Sequence, residues 1–190
     1  GKAIVKSFEE VGAEVIGVDR NKESLDKVRD LFFKNTSLHT IDITNEKAVE
    51  DLIQFIRKNY GGLDILISNA GVAPQGSMLD TDIGELRNSF EINFFSHFSL
   101  AQKIGKLFVD QKRKGQLLFN VSKQAVNPGM NFGSYGVPKA ALMFLVRQLA
   151  LELGQHKIRV NGINADRIRS GIVTDKFIMD RAEARSISDD

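Results

Sequence analysis

Residues 63–68, Leu63-Asp64-Ile65-Leu66-Ile67-Ser68, form a nearly continuous apolar run directly behind Gly61-Gly62. Such a run reads as a strand buried on both faces, the signature of a parallel sheet with helices on each side. Residues 116–121 and 158–163 repeat the pattern, and residues 14–19 and 38–43 give two further strands. Helix-length amphipathic stretches lie between them. Residues 2–10 set Ala3, Ile4 and Phe8 against Lys2, Lys6 and Glu9, with Gly12 as terminator. Asn21 caps a helix expected to reach Lys34, and Thr44 caps one running through Val49, Leu52, Ile53 and Ile56. A long helical region covers residues 81–114, another helix covers residues 135–153, and the stretch beyond Ile172 reads as helical and polar. Strands alternating with helices mean βαβ units, so the expected fold is α/β, a doubly wound parallel sheet in three layers, as one domain over residues 1–190.

Composition narrows the function classes. A hydrophobic share of 42% with 26% charged residues is that of an ordinary soluble globular chain. A formal net charge of +2 gives no electrostatic case for nucleic acid or an anionic membrane. The cluster Lys112-Arg113-Lys114 reads as a solvated helix end. There is no cysteine, hence no disulfide framework or thiolate metal site, which fits a cytoplasmic setting. No apolar run approaches the roughly 20 residues needed to span a bilayer. The three histidines, His39, His97 and His156, share no metal-ligand spacing, so no metal is expected.

In a doubly wound sheet, ligands bind beyond the carboxyl ends of the strands. Asp19 ends one strand, where a carboxylate suits an adenosine ribose diol and repels a 2′-phosphate; its other reading is a turn signal with Asn21. Arg20 beside it can neutralise a phosphate, so NAD is favoured over NADP without NADP being excluded. Asp42 and Ile43 end the next strand and suit an adenine amino group and ring, or else a helix cap. Asn69-Ala70-Gly71 closes the most apolar strand with small residues that let a cofactor approach the backbone. Tyr135 and Lys139, four apart, share a helix face. A phenol of ordinary pKa about 10 is a poor base, and an ammonium nearby lowers it toward the range of a general acid or base. Pro138 is tolerable if that helix starts close to Tyr135.

Taken in order, Asp19, Asp42-Ile43, Asn69-Ala70-Gly71, Asn93, Ser122 and Tyr135-x-x-x-Lys139 resemble the short-chain dehydrogenase/reductase family from Gly1 to about Gly171. The resemblance implies a Rossmann fold binding NAD(P), with hydride transfer between the nicotinamide and an alcohol or carbonyl substrate. Tyr135 would be the acid/base, Lys139 would lower its pKa and bond the nicotinamide ribose, Ser122 would polarise the substrate oxygen, and Asn93 would hold a water in a proton relay. Gly1 would be the third glycine of the phosphate-binding loop, so the first strand, mid-sheet between those ending at Asp19 and Asn69, and the last strand lie outside these 190 residues. The chain is therefore expected to be part of a longer one. The string Asn-Val-Ser-Lys also aligns Lys123 with the family's serine, which leaves Ser122 and Lys123 as alternatives. Ala165-Asp166 stands where the family usually has Pro-Gly, and Ser170 where it often has a phosphate-contacting threonine.

Residues 122–129 and 164–170 are similar to the dehydrogenase half of proteins fusing a class II aldolase to a short-chain dehydrogenase. That implies sugar-derived polyol or hydroxyaldehyde substrates, with Arg167 and Arg169 either on a substrate anion or on a solvated loop. Two alternatives are a catalytically silent cofactor-binding scaffold or redox sensor, against which the intact Tyr135/Lys139 pair argues, and a nucleotide-sugar epimerase, which also carries Tyr-x-x-x-Lys but against which Asn69-Ala70-Gly71 argues. The Phe-rich helix (Phe90, Phe94, Phe95, Phe98) and the helix through Leu142, Phe144 and Leu145 carry more apolar surface than one sheet face absorbs, and family members pair these helices into homodimers or homotetramers.

Overall fold

The computed structural model describes residues 1–31, 35–166, 168 and 178–179. Within residues 1–166, and among those described, five parallel strands alternate with six α-helices: α1 (Lys2–Glu10), β1 (Val15–Asp19), α2 (Lys22–Asp26), β2 (Thr36–Thr40), α3 (Glu46–Tyr60), β3 (Ile65–Ser68), α4 (Ile83–Phe90), α5 (Ser96–Gln111), β4 (Gly115–Asn120), α6 (Gly133–Gly154) and β5 (Ile158–Ile163). The strands form two hydrogen-bonded groups, β1–β2 and β3–β4–β5, all parallel. β4 is central in its group and buries Gly115, Leu117 and Phe119 in alternation, whereas β3 lies at its edge and Ile65 is 40% exposed. The burial of residues 63–68 on both faces is thus only partly realised among the described residues.

One hydrophobic core joins both groups. Val49, Leu52, Ile53 and Ile56 of α3 meet Leu100, Ile104, Leu107 and Phe108 of α5, together with Leu117 and Phe119 of β4 and Leu142 of α6. Ile16 and Val18 of β1 pack against the same cluster. The apolar positions of α3 recur at helical spacing, and Gly61, left-handed at φ 70°, ends that helix.

Several local boundaries differ from the sequence expectation. The helix after Asn21 stops at Asp26, where the ladder tightens to three-residue bonds from Val28 to Leu25 and from Leu31 to Val28. Asn45, not Thr44, caps α3, its side chain accepting from the Ala48 N–H at 3.0 Å. β2 ends at Thr40 because its register is set by β1, Asp19 lying opposite Thr40. Glu9, assigned to the polar side of α1, is buried and accepts from the Thr36 hydroxyl at 2.8 Å. The region 81–114 is broken by a π turn at Glu91–Phe95, where the Ser96 N–H reaches the Glu91 carbonyl five residues back. No helix among the described residues is long and apolar enough to cross a membrane. Arg167, Arg169 and Ser170, and most of the stretch beyond Ile172, lie outside the described residues.

Candidate active site

Tyr135 stands in the first turn of α6, two residues after the helix begins at Gly133. That earlier start has a consequence for Pro138, which lacks the N–H that would bond the Ser134 carbonyl four residues back. The Ser89 hydroxyl of α4 donates to that carbonyl instead, at 2.6 Å. Ser89 Oγ in turn accepts from Asn93 Nδ2 at 3.0 Å. Asn93 is fully buried on the π turn, and its amide also clasps Val72, accepting from N–H at 3.2 Å and donating to the carbonyl at 3.0 Å. Both amide hydrogens of Asn93 are therefore committed to protein groups. Ser89→Ala is expected to cost about 1–3 kcal/mol, since it strands a buried carbonyl, and urea denaturation would measure it. A loss near zero would mean that the first turns of α6 find another donor.

The Ser122 side chain stands next to the Tyr135 phenol, close enough to act on its pKa. Ser122 itself is held in an extended conformation beyond the end of β4, because the β4–β5 pairing continues past it. The Val121 N–H bonds Ile163 O at 2.9 Å and the Lys123 N–H bonds Ala165 O at 2.8 Å. Lys123 opens a 3-10 turn (Lys123–Ala125) and faces elsewhere: its ammonium meets the Asp166 carboxylate at 2.9 Å, with both side chains about half exposed. The two departures from the family pattern, Lys123 and Asp166, are thus partners, and Ser122 is the residue against Tyr135.

Lys139 is only 3% exposed and donates to the Asn120 carbonyl at 3.0 Å, with its Nζ 5.8 Å from the Tyr135 ring centroid. Burial pushes this ammonium down to about 8. Burial also raises the Tyr135 phenol above its ordinary value, with the neighbouring Ser122 side chain opposing. The expected depression by Lys139 is not what governs Tyr135 here: withdrawal of the phenol from water dominates.

The other predicted residues gather along the same strand ends. Asn120 Nδ2 donates to Asn69 Oδ1 at 3.0 Å, and a side chain on Gly1 would point its Cβ to within 3.9 Å of Asn69 Nδ2. Asp19 Oδ1 accepts from the Asn21 N–H at 2.9 Å. Asp42 lies two residues past β2 and accepts from the Thr44 N–H and hydroxyl at 3.0 and 2.8 Å, which lowers its pKa; Arg20 adds to that lowering. Both carboxylates are turn acceptors and exposed at or just past strand ends, and the helix cap expected at Asp42 is supplied by Asn45 instead. Ile43 is half-buried against the core. Gly71 sits over Asn93 and Lys139, and a Cβ there would lie 2.9 Å from Asn93 Oδ1.

This donor set fits a nicotinamide dinucleotide: a helix N-terminus at Gly1 for phosphates, a strand-end carboxylate at Asp19 for a ribose diol, and a buried ammonium beside a phenol. Sequence reasoning missed Ser89 and His97. His97 bridges Ser68 Oγ at 2.6 Å and the Ala70 carbonyl at 3.0 Å, directly beneath the Asn69-Ala70-Gly71 turn.

Comparison with known proteins agrees with this arrangement. The family model described as enoyl-(acyl carrier protein) reductase matches residues 1–187. Over 167 residues the chain is 34% identical to 7alpha-hydroxysteroid dehydrogenase of Escherichia coli (strain K12), covering 86% of this chain and 64% of that one. It is 30% identical to the uncharacterized oxidoreductase YuxG of Bacillus subtilis (strain 168), covering 90% of this chain and 26% of the other. The crystal structure of a short-chain dehydrogenase from Leptospira borgpetersenii with bound NAD+ superposes with a TM-score of 0.83 at 25% identity, covering 94% of this chain and 70% of that one. The chain spans less than two-thirds of the length of the hydroxysteroid dehydrogenase it matches. By sequence and by fold, the chain belongs to the short-chain dehydrogenase/reductase family.

Proposed function

We propose that residues 1–190 form one dinucleotide-binding unit of an NAD(P)-dependent oxidoreductase that interconverts an alcohol and a carbonyl. The observation that carries this reading is the Tyr135 phenol set beside the Ser122 side chain, with Lys139 buried one helical turn on and its Nζ 5.8 Å from the phenol ring centroid. NAD(P), when bound, supplies or accepts the hydride. Tyr135 gives or takes the proton at the substrate oxygen, and Ser122 orients that oxygen. Lys139, anchored on Asn120, bonds the nicotinamide ribose and stabilises the phenolate as it forms. Asn93 holds the Val72 backbone and so the frame around the site. Gly1, Asn69, Ala70 and Gly71 line the dinucleotide, and Asp42 and Ile43 flank the adenine.

Asp19 gives the preference for NAD. A carboxylate about 4 Å from a 2′-phosphate opposes it by roughly 4 kcal/mol at an effective dielectric near 20. Asp19→Ser is therefore expected to move the NADP-to-NAD ratio of kcat/KM upward by roughly tenfold or more, with Arg20 then able to meet the phosphate. An unchanged ratio would remove Asp19 from the ribose site.

The substrate class suggested by residues 122–129 and 164–166 is a sugar-derived polyol or hydroxyaldehyde. The location proposed is cytoplasmic. A homodimer or homotetramer is proposed because Phe98, Phe144 and Leu151 of α5 and α6 are exposed, Leu151 at 80%. The deciding experiment assays the full-length protein on a panel of polyols and hydroxyacids, following NADH absorbance. Turnover of at least one member is expected. Failure of every member, together with no NAD or NADP binding by calorimetry, would sink the reading.

A further inference from the structure

We propose that His97 is a positioning residue that sets the conformation of the Asn69-Ala70-Gly71 turn, and with it the affinity for the dinucleotide. The inference rests on the reading above that this turn lines the cofactor. His97 is fully buried on α5, and its two ring nitrogens meet Ser68 at the end of β3 and the Ala70 carbonyl. A carbonyl only accepts, so Nε2 carries the hydrogen, and in a neutral ring Nδ1 then accepts from the Ser68 hydroxyl. Burial, with the neighbouring Lys139 charge, pushes the imidazole down to about 3, which keeps it in that neutral form. One turn back along the same helical segment, Asn93 grips both the N–H and the carbonyl of Val72.

The peptide groups on either side of Gly71 are therefore clamped from beneath by two side chains of one segment. Gly71 is the link between them, and it lies close to Lys139: a Cβ there would stand 3.7 Å from Nζ. The clamp thus fixes the turn relative to Lys139 before any ligand arrives, and such preorganisation lowers the ordering cost of binding. An apolar side chain at 97 would fill the same space beside Phe119, whose ring centre is 6.5 Å away. It would leave the Ala70 carbonyl without its donor and the turn free to rotate.

The test uses the full-length protein. His97→Gln keeps an amide N–H that can reach Ala70 O, while His97→Leu keeps bulk and donates nothing. His97→Leu is expected to raise KM and Kd for NAD roughly tenfold, with kcat at saturating NAD within about threefold of wild type. His97→Gln should stay within about threefold of wild type on all three quantities. Ser68→Ala, a smaller change that removes the hydroxyl bonded to Nδ1 and so loosens the ring, should raise KM for NAD by about threefold or more, and it carries the test if His97→Leu does not fold. Wild-type NAD affinity in His97→Leu, or in Ser68→Ala when the leucine variant is unfolded, overturns the proposal alone. Equal loss in the Gln and Leu variants overturns it too, since the donor would then be irrelevant. Absence of any dinucleotide binding by the wild-type protein overturns the cofactor reading, and the proposal with it.

Discussion

Tyr135→Phe is expected to lower kcat by about 10²–10⁴-fold while leaving the Kd for NAD within roughly threefold of wild type. The substitution removes one oxygen and keeps the ring. That ring packs edge-on against Phe132, with centroids 6.3 Å apart, and sits under the Lys139 ammonium at 5.8 Å, so both contacts survive in the variant. What disappears is the hydroxyl beside the Ser122 side chain, the serine expected on the substrate oxygen. Because burial raises the phenol above its ordinary value, Tyr135 is held in the protonated form and is suited to donate to a carbonyl oxygen. Alcohol oxidation needs the opposite state, so its rate should rise with pH in the wild type and lose that dependence in the variant. The experiment is a pair of pH–rate profiles, one per direction, beside a calorimetric NAD titration. A scaffold or sensor would bind NAD and show no turnover to lose. Undiminished turnover by Tyr135→Phe would remove Tyr135 from the chemistry.

The strand ends and the Tyr135/Lys139 pair were legible because each depends on local pattern: an apolar run closed by a small or acidic residue, and two positions four apart on a helix. Ser122 and Lys123 were not separable from the string alone. Their different settings come from a long-range event, the bond from the Lys123 N–H to Ala165 O, which brings Lys123 to Asp166. Ser89 and His97 were illegible for a related reason. Each looks like an isolated polar residue on a Phe-rich helix, and its partners lie 45 and 29 residues away in the chain. Yet a signal was present: Ser89, Asn93 and His97 recur every four residues, a polar stripe among Phe90, Phe94, Phe95 and Phe98. A stripe of that kind on an otherwise apolar segment means that the buried face has polar groups to satisfy. The π turn at Glu91–Phe95 left no comparable mark, and it carries Asn93.

Lys139→Met should lower kcat by roughly 10²-fold or more and weaken NAD binding, and it should do so without weakening the fold in proportion. The reasoning starts from the desolvated ammonium. Its folded pKa, about 8, lies below the ordinary lysine value of 10.5, so folding disfavours the charged form. Below pH 8 both folded and unfolded chains carry the proton, and the folded state bears the full burial penalty. Between pH 8 and 10.5 the unfolded chain holds more protons than the folded one, so stability rises with pH across that window. Integrated, the rise is on the order of 3 kcal/mol. Methionine has no such linkage. In the variant the Asn120 carbonyl loses its donor, at about 1–3 kcal/mol, but that cost does not depend on pH. The stability difference between wild type and variant should therefore grow in favour of the wild type from pH 8 to 10.5 and stay flat below 8. Urea denaturation at pH 7, 9 and 10.5 reads it directly, with Tyr135→Phe as the control for the neighbouring phenol, whose raised pKa acts in the opposite sense above pH 10. Parallel pH profiles for the two proteins would show that the ammonium is solvated after all, and full activity in the variant would show that its burial serves no chemistry. A buried charge that penalises the fold at neutral pH, kept one turn from a phenol, is otherwise hard to account for except by what it does to a proton there.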